Sequence, residues 1–229
     1  MKTKTLIKLS LGVCMILILS SPLFAQPTIP DVTGVKRVDL GLACRVTLIQ
    51  GNKASVTITG DNDALEDVHA RLSGDRLEIY NDKHHQHKDD VSITITLPDL
   101  TELDLSGVVD ITTPNLVNYD NLKLEVSGVA DLDLKLKSNL LKLEASGVLS
   151  GDITGETKDL KIEISGVGKL NASEFKSENC DVEVSGVAKA SVYAVEKLDA
   201  SVSGMGRITY VGRPVVNQSS SGFGSISRL

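Results

Sequence analysis

Three sets of residues in this 229-residue chain have types and spacings that could do chemistry. The first is "NDKHHQHKDD", residues 81–90, which gathers His84, His85, His87, Asp89 and Asp90. Three imidazoles and two carboxylates in one short loop are donors suited to Zn²⁺, Cu²⁺ or Ni²⁺. A working metal centre also needs neighbours that orient its ligands, and a polar loop supplies none by itself. The expectation is a solvated hairpin loop with adventitious affinity, in which His84, His85, His87 and Asp89 are the candidate metal ligands. The second set is a Ser-Gly pair written seven times, at Ser106, Ser127, Ser146, Ser165, Ser185, Ser203 and Ser221. The third is a column of acids two positions before the serine: Asp104, Glu125, Glu144, Glu163 and Glu183.

A nucleophilic serine is singular and needs a base. Here the serine recurs sevenfold, no "GxSxG" frames any copy, and no His follows residue 87, which argues against nucleophilic use of these serines. The acids form a regular ladder rather than an isolated pair in a cleft, which argues against a glycosidase or lyase. Stacked carboxylates repel and raise some pKa values, while Lys123, Lys142 and Lys161 offset part of that. Such a stripe can attract Ca²⁺, but it is more simply a solvated face with lateral ion pairs.

The elements that carry these residues follow from the repeat. The serines are separated by 21, 19, 19, 20, 18 and 18 residues, a near-constant period that signals a solenoid of stacked units. Five, three and one residues before the serine the chain is mostly apolar, as in Leu122, Leu124 and Val126, or Leu160, Ile162 and Ile164. Polar residues lie between, so each unit opens with a strand that has one buried face. The residue after the glycine is Val108, Val129, Val148, Val167, Val187, Met205 or Phe223. It has the parity of the polar set yet is always apolar, so the chain turns a corner at Ser-Gly and starts a second strand. The fold class is therefore all-β, a single-stranded parallel β-helix with rungs of about 18–21 residues.

Gly107, Gly128, Gly147, Gly166, Gly186, Gly204 and Gly222 are the structural corners. A side chain at an inward corner would strike the next rung, or the backbone would need a positive φ, and glycine permits both. The serine hydroxyl is left to bond a backbone group at the turn or the serine of the next rung. The last unit, "VVNQSSSGFGSISRL", puts Gln218 and Ser220 in columns that are otherwise apolar, which marks it as a terminal cap. Ahead of the repeats, residues 26–100 form a less regular β portion. It has strands near 35–40, 43–49, 54–59, 76–80 and 91–97, a short helix between Asp61 and Leu72 with Asp61 or Asp63 as N-cap, and a turn at Ser73-Gly74. This portion reads as a degenerate start of the same solenoid, and residues 101–229 as its regular rungs.

Residues 1–25 have the layout of a secretory signal peptide: Lys2, Lys4 and Lys8, an apolar run, then "SPLFA" before Gln26. Removing three lysines and no acid takes the net charge from −6 to −9, which disfavours nucleic acid. No transmembrane segment is expected in the mature chain. The protein is expected to be exported to the periplasm or cell surface. There Cys44 and Cys180 could oxidise, although each sits in an apolar strand pattern and reads as a buried thiol. Trp is absent and Phe and Tyr total seven, too few for the aromatic platforms of sugar or base recognition.

The order "GLACRVTLIQG", then "LPDLTELDLSG", then tandem "SGVA" and "SGVG" rungs resembles the head GIN domain family of auto-transporter adhesins over about Val35 to Ser227. The resemblance implies a right-handed single-stranded β-helix and an exported bacterial protein. It brings no catalytic residues and no cofactor. No long amphipathic-strand segment for a translocator barrel is seen. The expected function is non-catalytic: an adhesin-like binding module of the cell envelope, presenting its faces to an envelope or extracellular ligand. The alternatives are a structural solenoid that self-associates through its end rungs as a homo-oligomer, and a polysaccharide-acting β-helix enzyme.

Overall fold

In the computed structural model, residues 27–82 and 91–229 are described. The chain is a β-solenoid of about 7 turns, 71% strand and 2% helix. A typical rung shows why. Strand β10 (Asn121–Val126) points Leu122, Leu124 and Val126 inward, and all three are buried. The chain then passes Ser127-Gly128 and enters β11 (Val129–Ala145), where Ala130, Leu132, Leu134 and Leu136 are buried. The alternation is not broken at Ser-Gly: Gly128 occupies an inward position and Val129 an outward one. The slip comes later, between Ser138 and Leu141, where the strand bends through a second corner and Leu141, Leu143 and Ala145 begin the next rung. One strand therefore ends one rung and starts the next.

The same pattern recurs in β12 (Val148–Ile164), β13 (Val167–Val184) and β14 (Val187–Val202), each parallel to its predecessor. Stacking in register places like on like. Leu40, Leu105, Val126, Ala145, Ile164, Val184 and Val202 form one unbroken buried column. Each such side chain contributes roughly 1.5–3 kcal/mol by leaving water, so the core is a sum of nearest-neighbour ladders, not one central cluster.

The first rungs are out of sequence order. Strands β1 (Arg37–Gly41) and β2 (Ala43–Gln50) form a rung that pairs on one side with β7 (Glu102–Leu105) and β8 (Val108–Thr112). On the other side it pairs with β5 (Arg76–Asn81) and β6 (Val91–Leu97). The chain lays the second rung first, runs out to build the end of the solenoid, and returns. That end is closed by β3 (Ser55–Gly60), antiparallel to β6, and β4 (Val68–Ser73), antiparallel to β5. Between them α1 (Asn62–Leu65) buries Ala64 and Leu65 against the core. The helix is shorter than "DNDALEDVHARL" suggests, because Val68–Ser73 gains a strand partner by folding back on β5 around Gly74, whose φ is +64°. Asp61 holds the N-cap position but its side chain makes no capping bond.

The far end consists of β15 (Arg207–Val211), β16 (Val215–Ser220) and β17 (Ser225–Arg228). Strand β9 (Val117–Asn118) completes an intermediate rung against Leu136 and Lys137. Among the described residues no helix is long and apolar enough to cross a membrane.

Candidate functional site

The repeated corner is the most distinctive surface of the molecule, and it is built by contact between rungs. Gly128 donates its N–H to Leu105 O at 3.1 Å, and Val129 N–H reaches Gly107 O at 2.9 Å. A Cβ added at Gly128 would lie 2.0 Å from Gly107 O, and one at Gly147 would lie 1.9 Å from Gly128 O. Neither residue has a positive φ, so closeness of the neighbouring backbone is the reason for glycine there. Gly107, Gly166, Gly186 and Gly204 make the same close approach to the preceding rung, whereas Gly222, in the last rung, has a φ of +93°. The serines are exposed. Among the described residues, Ser106 Oγ and Ser165 Oγ reach a backbone acceptor, Leu40 O and Ala145 O, each at 3.5 Å, the limit of a hydrogen bond.

Keeping glycine inward puts its neighbour outward. Val108, Val129, Val148, Val167 and Val187 align in strict register, and Met205 and Phe223 continue the column. All seven are solvent-exposed, rising from 41% at Val108 to 92% at Phe223. At about 4.8 Å per rung this is an apolar ridge about 29 Å long, bordered on one side by the exposed serines.

Two residues beyond the serines stands the acidic column, and the structure extends it. Glu78, Asp39, Asp104, Glu125, Glu144, Glu163 and Glu183 lie in one register. Its behaviour is not uniform. Asp39 and Asp104 sit partly within the wall, and burial, reinforced by neighbouring carboxylates, raises their pKa values. Asp104 Oδ1 is buried without a hydrogen-bond partner. Glu144 is held below the usual carboxylate range by Lys142 and then Lys123, whose ammonium groups approach to 2.5 and 3.0 Å. Lys123 also bonds Glu125 at 2.7 Å, bridging two rungs. Among the described residues no three His, Cys, Asp or Glu side chains converge as a metal site. His84, His85, His87 and Asp89 lie outside the described residues.

Beyond the apolar ridge, on its other side, Lys169, Lys189 and Arg207 stack in register. The ridge thus runs between an acidic ladder and, in the later rungs, a basic one. A set of Asn–Asp pairs between rungs, each in a separate column, was not anticipated from the repeat. The amides of Asn171, Asn179 and Asn217 donate to Asp152, Asp159 and Asp199 of the preceding rung at 2.6, 2.9 and 3.2 Å, and Asn139 donates likewise to Asp120. Aligning the units on Ser-Gly alone hides this pairing, because each Asp and its Asn partner stand one rung apart in differing local contexts.

Among the described residues, two thiols and one phenol are shielded from solvent. Cys44 and Cys180 are free and buried, and burial pushes both thiols up to about 12. Tyr119 is fully buried with its hydroxyl unpartnered, and burial followed by Asp99 raises its pKa. One shallow depression is lined by Lys137, Glu156, Lys176, Glu178 and Val195, with Lys137 and Glu156 paired at 2.6 Å. It is an open, charge-mixed hollow without a shielded carboxylate pair.

Fold and surface together define a parallel β-solenoid whose presented feature is a set of repeated ladders. The sequence matches the family described as "Putative auto-transporter adhesin, head GIN domain" over residues 36–214, and the chain belongs to that family. No curated protein matches it. Among solved structures it is similar to a "putative adhesin" from Bacteroides fragilis NCTC 9343, with 26% identity, a TM-score of 0.82, and coverage of 87% of this chain and 94% of that one. It is also similar to a "putative adhesin" from Parabacteroides distasonis ATCC 8503, at 18% identity and TM-score 0.66, covering 87% and 94% of the two chains. A "putative lipid binding protein" from the same organism, at 19% identity and TM-score 0.65, is covered to 94% and covers 88% of this chain. These last two likenesses are of fold.

Proposed function

We propose that this chain is an exported, non-catalytic envelope protein that acts as an adhesin-like binding module, with the apolar ridge as its contact surface. The observation that carries the reading is the outward column Val108, Val129, Val148, Val167, Val187, Met205 and Phe223, exposed in register along the whole repeat. A contiguous exposed apolar stripe rimmed by polar residues is the mark of an interaction surface, whereas isolated exposed valines would mean nothing. Family membership and the likeness to the "putative adhesin" from Bacteroides fragilis support the adhesin-like reading. The signal-peptide layout of residues 1–25 supports export. A polysaccharide-acting enzyme is not favoured, since the acids before the serines stack as a ladder rather than standing as an isolated pair.

The test is saturable binding of the labelled protein to isolated cell-envelope material. A Val129→Thr, Val148→Thr, Val167→Thr variant changes only exposed side chains, adds no charge to the stack, and should keep its fold by circular dichroism while binding more weakly. Binding equal to that of the wild type would remove the ridge from the mechanism. Protease accessibility on intact cells separates a surface location from a periplasmic one.

A further inference from the structure

The two ends of the solenoid are built differently. At the β3–β4 end, α1 plugs the core with Ala64 and Leu65, and exposed Asp61, Asp63 and Glu66 stand on the plug. At the other end, β16 pairs only with β14 and β17 only with β15, leaving the outer edge of each strand without a partner among the described residues. Sheets normally guard such edges with charge, proline or a covering element. Here residues 215–227 contain no charged residue and no proline, and Pro214 stands just ahead of β16. The inward positions of this rung, Gln218 and Ser220, are exposed, as are Val215 and Phe223, at 77% and 92%. The rung has the backbone and composition of a strand waiting for a neighbour.

We propose that the occupant is a second copy of this chain, joined through β16 about a two-fold axis perpendicular to the solenoid. An isologous contact of this kind closes at two chains and does not propagate. Charge restricts how two such ends can meet. The last thirty residues carry Arg207, Arg213 and Arg228 and no acid, so two such ends would repel if their arginines met. Antiparallel pairing of β16 with its symmetry mate, Val216 opposite Ser220, centres on Gln218 and keeps the inward positions of both strands on one face. It carries Arg213 to the far end of the partner strand, beside the partner's Phe223. There a guanidinium over an exposed ring is an attractive cation–π contact. Gln218 would lie next to its mate at the axis, where paired amides satisfy one another. The opposite end is unsuited to the same role, because its plug stands between any incoming rung and the core. The contact is small, so a concentration-dependent pair, not a permanent dimer, is expected.

The experiment is sedimentation velocity on the purified chain over a wide concentration range, with Gln218→Lys and Asp63→Lys variants alongside. Both substituted side chains are exposed in the single chain, so each variant should unfold at the wild-type temperature. The expected result is a rise from one chain to two without further growth, weakened at least tenfold by Gln218→Lys and unaffected by Asp63→Lys. Amide exchange in residues 215–220 should slow as concentration rises. Growth beyond two chains, or loss of association in Asp63→Lys, would mean head-to-tail stacking and overturn the proposal. A single chain at every concentration would also overturn it. Neither failure touches the ridge reading, whose assay is made at concentrations below association.

Discussion

Gly128→Ala and Ser127→Ala are adjacent substitutions with opposite expected consequences. The new Cβ at position 128 would sit 2.0 Å from Gly107 O, 2.5 Å from Ser106 O and 2.7 Å from Ser106 C. All three are backbone atoms, so no rotamer change relieves the contact, and the rungs must part locally by about 1 Å or more to restore van der Waals distance. That movement acts on the bonds that hold the corner: Ser127 N–H to Leu105 O at 3.2 Å, Gly128 N–H to the same oxygen at 3.1 Å, and Val129 N–H to Gly107 O at 2.9 Å. At about 1 kcal/mol net for each bond lost, plus residual strain, the expected cost is about 3–5 kcal/mol. Ser127 is exposed and its hydroxyl makes no hydrogen bond within the described structure, so Ser127→Ala should fall within about 0.5 kcal/mol of wild type. Urea unfolding followed by circular dichroism measures both. Stacked repeats can unfold in more than one step, so amide exchange at Val129 and Val148 should accompany it and show faster opening only in the glycine variant. Equal costs for the two substitutions would refute the close-approach argument.

Other outcomes follow from the electrostatics and the core. Asp39 and Asp104 have raised pKa values in the folded chain, so the native state holds their protons longer than the unfolded chain does. The stability they contribute is present below the ordinary carboxylate range and is lost as pH rises through the raised values. Asp104→Asn should therefore flatten that decline and raise stability at neutral pH by on the order of 1 kcal/mol, read as melting temperature against pH; an unchanged profile would contradict it. Glu144, lowered by its lysines, acts in the opposite sense and loses its contribution as pH falls. Tyr119→Phe removes a buried hydroxyl that has no partner and should leave stability unchanged or raise it by about 1 kcal/mol. A loss larger than that in chemical denaturation would show that the hydroxyl is satisfied in solution.

The regular rungs were legible in the sequence because the repeat is a physical constraint: a parallel rung that falls out of register loses a full face of burial. Leu122, Leu124 and Val126 announce an inward face by alternation alone, and their stacking on Leu141, Leu143 and Ala145 follows from the period. The N-terminal rungs were harder to read because their order in space is not their order in the chain. Nothing local in Arg37–Gly41 says that it will lie between β5 and β7. Nor did parity expose the shortness of α1, since Val68–Ser73 becomes strand only through its pairing with β5. The acidic column was visible, but Asp39 and Glu78 joined it only once the early rungs were placed.

The corner itself shows where a repeat stores structure and where it leaves a function-bearing choice. Gly128 has no alternative, because Gly107 O fills the space a side chain would need. Ser127 is nearly free, and a small polar residue there answers to solvent. Val129 differs from both. Its inward neighbours satisfy the core without it, its backbone bond to Gly107 O is available to any residue but proline, and strand preference would be met as well by threonine. Folding supplies no reason to place an apolar side chain in water at five successive rungs and then to enlarge it to Met205 and Phe223. Lateral contact between stacked valines gains a few tenths of a kcal/mol for each pair, less than burying the same methyl groups under a partner would gain. The repetition that first directs attention to the serine therefore assigns the glycine to architecture and, on the proposed reading, the residue after it to contact.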